Sequence, residues 1–456
     1  MNLADVARIL HHRRLFRQRD RWSRQRLLAH QARSLAVLRN FTYAHSPFYR
    51  KFHAGLMDRP LEDLPVLTKG EMMRNFDDVV TNRAIRLADI EEHLTRNPAA
   101  ERFAGRYTIS ASSGSTGQRG YFLFDPAEWA TVLATYGRPA WWAGLNFEWQ
   151  HLIHPLKMAG FSTLVPWHQT AQVAASTATG LVPSLRLDGT RPVSEVVEPL
   201  NQWKPDFLTT YASLAHALAQ EQLAGRLRIA PRMIGVGGEV LTRAARDCIE
   251  AAWGKVLFDH YGASETGILA SECDRHAGLH LFEDLTVVEV VDADGRTVRP
   301  GDCGERVLVT VLFRHTQPLI RYEFSDNVRV LAEPCPCGRP FRLIGAVQGR
   351  VEETLHFPTA AAGRVAIDPV VFDAVLDTVP ATQWQVVQEP TSLDILLTGL
   401  AADFRDEAIT EPLRRELASR GAVVPDIRVQ RVAAIPRGAT GKAPLIRRRV
   451  PPPEAC

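Results

Sequence analysis

The chain has little cysteine for its size, six residues in 456, which argues against a secreted scaffold held together by disulfides. It has no apolar run approaching the roughly eighteen residues that read as a membrane span, and no positively flanked apolar core opens it. It carries little net charge, +3, so no general nucleic-acid surface is expected. Internal repeats and long low-complexity segments are absent as well. What remains is a soluble globular composition, 45% hydrophobic and 23% charged. The length exceeds one ordinary core, so two or more domains are expected, with the cytoplasm as compartment.

The one local imbalance is at the start, where residues 1–40 hold ten arginines, no lysine and two aspartates. Such a stretch suits a transit peptide, a membrane-surface helix or a nucleic-acid arm. The plainer reading is a helix laid on the body, with Leu27, Leu28, Ala32, Leu35 and Leu38 at helical spacing facing inward. That reading is favoured, because the apolar positions continue without a break into "FTYAHSPFYRKF".

Residues 200–265 carry the clearest architecture. "DFLTTY", "RMIGVGG" and "KVLFDHYG" read as strands. Between them "SLAHALAQEQLAG" and "LTRAARDCIEAAWG" read as helices ended by Gly225 and Gly254. This alternation predicts a parallel sheet covered by helices, an α/β fold. "GGE" (237–239) and "YGASE" (261–265) then fall just past the carboxyl ends of strands, where open α/β sheets bind ligands. From about residue 285, short β-rich runs broken by Asp-Gly and Pro-Gly predict antiparallel strands or a small β-barrel. A new unit of about a hundred residues follows "GRVEE", with strands near "WQVVQ" and "LDILLTG" and a helix near 403–420. The expected division is 1–349 and 350–456.

Between Ser110 and Phe124 the chain reads "SASSGSTGQRGYFLF", a polar, flexible loop leading into a strand. Glycines allow close backbone approach, and hydroxyls with bare N–H groups suit phosphate oxygens. Taken alone it reads as a Ser/Gly turn. "GATGK" (438–442) lacks the Walker spacing, and "GVGG" (235–238) misses the dinucleotide fingerprint. Kinase and dehydrogenase readings therefore fail.

The order "SSGSTG", "GGE", "YGASE", "IRYEFSD", "GRVEE", "PRGATGK" resembles that of the adenylate-forming ligases, the acyl-CoA synthetase and adenylation-domain superfamily. "SPFYRKF", "DLPVLTKGEM", "GLHLFED" and "PCPCGRP" resemble its phenylacetate–CoA ligase branch. The resemblance covers about residues 40–445. It implies a large N-terminal domain with parallel sheets and a small β-barrel, followed by a small mobile α+β C-terminal domain. It also implies ATP, Mg2+ and coenzyme A as cofactor, metal and co-substrate.

By the resemblance, Ser112, Ser113, Gly114, Ser115, Thr116 and Gly117 wrap the β- and γ-phosphates of ATP, with donors aimed at oxygens that gain charge. Many relatives follow this loop with Pro-Lys. Here Arg119-Gly120 stands instead, and Arg119 is the cation at hand to substitute, in a direction the sequence does not give. Gly238, Glu239, Tyr261 and Gly262 form the adenine wall, with the Tyr261 ring available for stacking. Ser264 offers a hydroxyl to the α-phosphate and Glu265 a carboxylate to magnesium. Asp326 accepts hydrogen bonds from both ribose hydroxyls, and Arg350 adds a cationic ribose or phosphate contact. Lys442 sits between the acid's carboxylate and the α-phosphate in the first chemical step. Residues 350–352 form the hinge, where Glu352 replaces the more usual Asp. Without that order, Tyr261 would read as a core aromatic, and Glu265, Asp326 and Lys442 as solvated turn or tail residues.

Cys335 and Cys337, in a Pro/Gly-rich turn, together with Cys273 and His280 make a ligand set for tetrahedral structural zinc. The Cys-x-Cys spacing is tighter than the usual knuckle, His276 competes with His280, and buried free cysteines are common. Cys248, Cys303 and Cys456 invite no role.

The expected function is ATP-dependent activation of a small carboxylic acid, of which an aromatic acid is the branch default, with transfer to coenzyme A. An amine or a carrier-protein thiol are the alternative acceptors. A nucleotide-binding protein without catalysis is the reading of a different class. No nucleic-acid or membrane partner is expected, and a homodimer would be the common oligomer. Residues 151–163, with His151, His154 and Lys157, are candidates for the acid pocket or else ordinary surface polar groups.

Overall fold

A computed structural model describes residues 3–96, 102–112, 119–145, 151, 154–177, 182–345, 347, 353–361, 363–367, 369–401, 403–438 and 442–449.

The arginine-rich start forms two helices, α1 (Leu3–Arg19) and α2 (Arg24–His45), that lie on the body and are tied there by charge. Arg19 pairs with Asp284 at 3.3 Å, and Arg24 with Glu283. Arg138, wholly buried, bridges Asp20 and Asp284 and is ringed by Phe16, Trp142, Phe282 and Phe341. A buried guanidinium is tolerable only when paired in this way. The inward face of α2 is Leu27, Gln31, Leu38 and Thr42. Leu28, 47% exposed, and Ala32, also exposed, do not join it, so the expected stripe is partly wrong. The Arg24–Glu283 pair and a bond from Gln31 Nε2 to the Thr286 carbonyl (2.9 Å) set the rotation of the helix instead.

Short helices α3 (Pro47–Phe52), α4 (Lys69–Arg74), α5 (Phe76–Val79) and α6 (Leu87–Arg96) follow. Strands β1 (Thr108–Ala111) and β2 (Tyr121–Phe124) pair antiparallel, Ala111 opposite Tyr121. Helix α7 (Pro126–Trp142) then starts from a capping box, Asp125 with Glu128.

The main sheet is built from β3 (Met158–Ser162), α8 (Gln169–Thr177), β4 (Ser184–Asp188), α9 (Val193–Trp203), β5 (Phe207–Thr210), α10 (Ala212–Leu223), β6 (Met233–Gly237), α11 (Arg243–Trp253) and β7 (Leu257–Ala263). Strands β4-β3-β5-β6-β7 are parallel neighbours, as the alternation predicts. Strands β8 (Gly267–Ser271) and β9 (Leu279–Leu281) extend the sheet antiparallel beyond β7. The helices pack through an apolar core that includes Leu200, Leu208, Leu214, Leu218, Ile234 and Ile249, all buried.

Residues 286–329 give β10 (Thr286–Val291), β11 (Cys303–Gly304), β12 (Arg306–Val311), β13 (Tyr322–Phe324) and β14 (Val328–Arg329). Strands β10, β12 and β13 form an antiparallel sheet, and β11 pairs separately with β14. The expected small barrel is therefore not closed among the described residues. The two-residue strands β11 and β14 bond to one another instead of bridging the edges of β10 and β13. Strand β15 (Leu343–Ile344) returns to the main sheet beside β9.

From residue 353 onward the chain forms a hairpin, β16 (Leu355–Pro358) with β17 (Arg364–Ile367), then α12 (Pro369–Leu376). Next come β18 (Gln383–Gln388), β19 (Ser392–Thr398), α13 (Glu407–Ser419), β20 (Asp426–Arg431) and β21 (Ile446–Arg448). Its four-stranded sheet runs β20-β19-β18-β21. This part has its own core, including Phe357, Phe372, Val386, Ile395, Leu413 and Leu417.

Candidate functional site

Strands β6 and β7 deliver the two expected clusters side by side. At the end of β6 the backbone turns at Gly238, whose φ of +77° favours glycine. A side chain there would also press on Lys442, since a Cβ would lie 3.1 Å from its Nζ. In β7 the register shifts between Tyr261 and Gly262, and a Cβ on Gly262 would come within 2.6 Å of the Gly267 carbonyl. The bulge re-aims Tyr261 where the sheet switches from parallel to antiparallel.

The Tyr261 hydroxyl donates to Asp326 Oδ2 at 2.7 Å, and both residues are buried. The bond joins two motifs 65 residues apart in sequence. In the turn after β7, Glu265 is 7% exposed, and its Oε1 accepts from the Tyr322 hydroxyl at 3.3 Å. Burial, with Glu265 close by, pushes the Tyr322 phenol well above its ordinary value, so it stays a donor. Arg314, fully buried, holds the Glu265 carbonyl. The Ser264 carbonyl accepts from Gln169 Nε2 at 3.1 Å, while Gln169 Oε1 takes the Tyr136 hydroxyl at 3.0 Å.

The C-terminal part reaches this same edge. Lys442 Nζ lies 5.6 Å from the Tyr211 ring centroid. Ala443 N donates to Glu239 Oε1 at 2.7 Å, while Glu239 Oε2 accepts from Ser213 N at 3.0 Å. Glu239 thus connects the two parts. Ser213 also accepts from Gln383 and Arg437 of the C-terminal part. His168 is held down to about 3, first by burial and then by the Lys442 charge. Two cations do not meet there.

After β1, the Ser112 Oγ accepts from Lys69 Nζ at 2.9 Å and from Gly120 N at 2.8 Å. Ser113, Gly114, Ser115, Thr116 and Gly117 lie outside the described residues, as do Arg350 and the expected hinge at 350–352. Arg119 is exposed and rests over Trp167, 5.5 Å from its ring centroid.

His151 is buried, whereas His154 and Lys157 are exposed, and Lys157 covers Trp203 at 5.4 Å. The last two are surface groups. His168, Gln169 and Tyr211 belong to the site without any sequence signal of their own, and Tyr322 stands inside the "IRYEFSD" motif, where only Asp326 is singled out. Lys69 is also there. "LTKGEM" was visible, but nothing in its spacing says that it meets Ser112.

Cys273, His280, Cys335 and Cys337 come together, their ligand atoms all within 4.8 Å of one another. Cys273 Sγ is 3.7 Å from Cys335 Sγ and 3.3 Å from His280 Nε2, which is 3.4 Å from Cys337 Sγ. Those separations match the edges of a tetrahedron around an ion with Zn–S near ~2.3 Å and Zn–N near ~2.0 Å. His280 is pushed down to about 4, chiefly by burial, and so is neutral, the form that ligates. His276 instead faces Glu272 at 3.6 Å, which resolves the competition in favour of His280.

Among the described residues no helix is long and apolar enough to cross a membrane. No family model matches the chain. The fold is that of the adenylate-forming ligases. A crystal structure of 2-hydroxyisobutyryl-CoA ligase in complex with an acyl-AMP superposes with a TM-score of 0.72 at 18% identity, covering 95% of this chain and 92% of that one. In sequence the chain is similar to the phenylacetate-coenzyme A ligase of Thermus thermophilus, 27% identical over 86% of this chain and 84% of the relative. It is 29% identical to that of Escherichia coli over 54% of this chain and 56% of the relative. These similarities agree with the resemblance to the phenylacetate–CoA ligase-like branch of the adenylate-forming ligases that the ordered motifs carry.

Proposed function

We propose that this chain is an AMP-forming acid–thiol ligase. It activates a small carboxylic acid with ATP and passes the acyl group to coenzyme A. The observation that carries this reading is the position of Lys442, brought by the C-terminal part against Gly238 and Tyr211 at the strand ends that also present Tyr261, Asp326 and Glu265.

In the first step a carboxylate oxygen attacks the α-phosphorus, a P–O bond forms, and pyrophosphate leaves. A carboxylate is already nucleophilic, so no general base is needed. Lys442 reduces the repulsion between the two anions and stabilises charge on the pentacovalent centre. Ser112 and the loop to Gly117 take the β- and γ-phosphates, and the Ser264 hydroxyl the α-phosphate. Gly238, Glu239, Tyr261 and Gly262 line the adenine side. Asp326, oriented by Tyr261, takes the ribose hydroxyls, with Arg350 beside it. Glu265 would hold Mg2+, which neutralises phosphate charge when bound.

In the second step the acceptor sulfur attacks the acyl carbon and AMP leaves. For this the part from residue 350 to 456 rotates about Arg350–Glu352 against residues 1–349, and Lys442 withdraws. The few polar contacts that Glu239 and Ser213 make across the two parts suit a reversible interface. The four-residue Cys/His cluster would hold Zn2+ as a structural ion.

The test is ATP–pyrophosphate exchange across arylacetic, aryl, short aliphatic and amino acids, followed by AMP release with coenzyme A, an amine or a carrier-protein thiol. Exchange with an arylacetic acid and AMP release with coenzyme A are expected. Exchange with no acid would leave a nucleotide-binding protein without this chemistry. Transfer only to an amine or carrier would correct the acceptor.

A further inference from the structure

We infer that His260 makes this chain selective for an acid that carries a hydrogen-bond donor, an O–H or N–H, at the end away from its carboxylate. The inference rests on the acid-activation reading above and names the class of acid.

His260 is placed by strand register. Strands β6 and β7 run parallel, with Gly237 opposite His260 and Gly235 opposite Phe258. Ile234 and Val236 belong to the apolar core beneath the covering helices. Gly235 and Gly237, which alternate with them, therefore face the other side of the sheet. The His260 ring lies across β6 on that side. A Cβ on Gly235 would come within 2.7 Å of His260 Nε2, and one on Gly237 within 2.7 Å of the His260 carbonyl. A side chain at Gly235 would displace the ring.

The proton on the ring is assigned by its partners. Ser271 Oγ lies 3.0 Å from the Glu272 carbonyl and 2.9 Å from His260 Nδ1. A carbonyl only accepts, so the single hydroxyl proton of Ser271 goes to Glu272, and the oxygen accepts from Nδ1–H. His260 is pushed down to about 4, chiefly by burial, and is neutral. A neutral imidazole with its proton on Nδ1 has a bare lone pair on Nε2. Nε2 makes no hydrogen bond among the described residues. An acceptor withdrawn from water is costly until a donor meets it.

The place of Nε2 along β6 says which end of the acid it meets. Lys442, the proposed neighbour of the carboxylate, stands at Gly238, where a Cβ would lie 3.1 Å from its Nζ. Gly237 comes next, and Gly235 is two residues further back, ~7 Å of extended strand. An acid with its carboxylate at Lys442 and its body along these two glycines presents its far end to Nε2. A hydrocarbon end would cover Nε2 and leave it unpaired, whereas a hydroxyl or amine would pair with it.

The test is ATP–pyrophosphate exchange by the full chain on matched acids. Each hydroxyphenylacetic isomer, and a terminally hydroxylated short aliphatic acid, is compared with the form lacking the hydroxyl. In the pair that exchanges best, kcat/KM should fall by about tenfold or more without the hydroxyl, the loss expected for an acceptor left unpaired. In His260→Leu the two members should come within about twofold of one another. His260→Gln, which keeps an acceptor oxygen, should restore part of the difference. AMP affinity in calorimetry should stay within about twofold in both variants, which a merely structural role would not allow. Equal exchange with both members in the unaltered chain overturns the inference, and so does a preference that survives in His260→Leu. Should His260→Leu lose AMP binding too, the comparison in the unaltered chain decides alone. Exchange with no acid at all would remove the functional reading first. Exchange indifferent to the donor would sink this inference and leave that reading standing.

Discussion

At the scale of single residues, the site is a set of carboxylates and donors whose partners come from distant segments. Asp326 is the clearest case. It sits in a turn, where aspartate is commonplace, and only its motif context marks it. The structure adds what sequence cannot supply, the 2.7 Å bond from Tyr261 that fixes one oxygen. If Asp326 takes both ribose hydroxyls, Asp326→Ala should weaken ATP and AMP alike. Each such bond contributes about 1.5–3 kcal/mol, so losing both is expected to cost about a hundredfold or more in calorimetry. An unchanged dissociation constant would remove Asp326 from the ribose site. Tyr261, Glu265, Asp326 and Lys442 were legible because each stands in a short ordered motif. Lys69, His168 and Gln169 were not, because they reach the site through strand pairing and helix packing that leave no fixed spacing.

At the scale of elements, what was legible follows from periodicity and punctuation. Helices α10 and α11 were readable because Gly225 and Gly254, with φ of +74° and +77°, lie just past them. The inward face of α2 was misread because Arg24 and Gln31 turn the helix, and polar partners leave no hydrophobic stripe. The barrel was over-read because turn signals mark where strands end and not which edges pair. The Cys/His cluster shows both sides. Its members were named in advance, yet their convergence depends on β9 aligning with β15, His280 opposite Leu343. If the cluster is a zinc site, purified protein should carry about one equivalent of zinc by elemental analysis. Cys335→Ser/Cys337→Ser should lose the metal and melt earlier, since a site joining the turn after β8 to the loop before β15 links elements far apart in sequence. Carefully prepared wild type without metal would leave four ordinary side chains, three of them buried.

At the scale of the whole molecule, the question is whether the C-terminal part changes its face between the two half-reactions. In this structure it is docked by Glu239, which accepts from Ala443 N at 2.7 Å beside Lys442. Lys442→Ala should therefore cripple formation of the acyl-adenylate. Losing one preorganised electrostatic contact costs roughly 3 kcal/mol, about a hundredfold in rate. Supplied with synthetic acyl-adenylate, the same variant should transfer the acyl group at close to the wild-type rate if, as proposed, Lys442 rotates away before that step. Glu239→Ala should follow the same division more weakly, since it loosens the docking without removing the ammonium. Single-turnover assays of each half-reaction separate the cases. Equal loss in both would make Lys442 structural, or the two parts fixed. No loss in either would return it to a solvated tail, and the docking seen at Glu239 would then need another purpose.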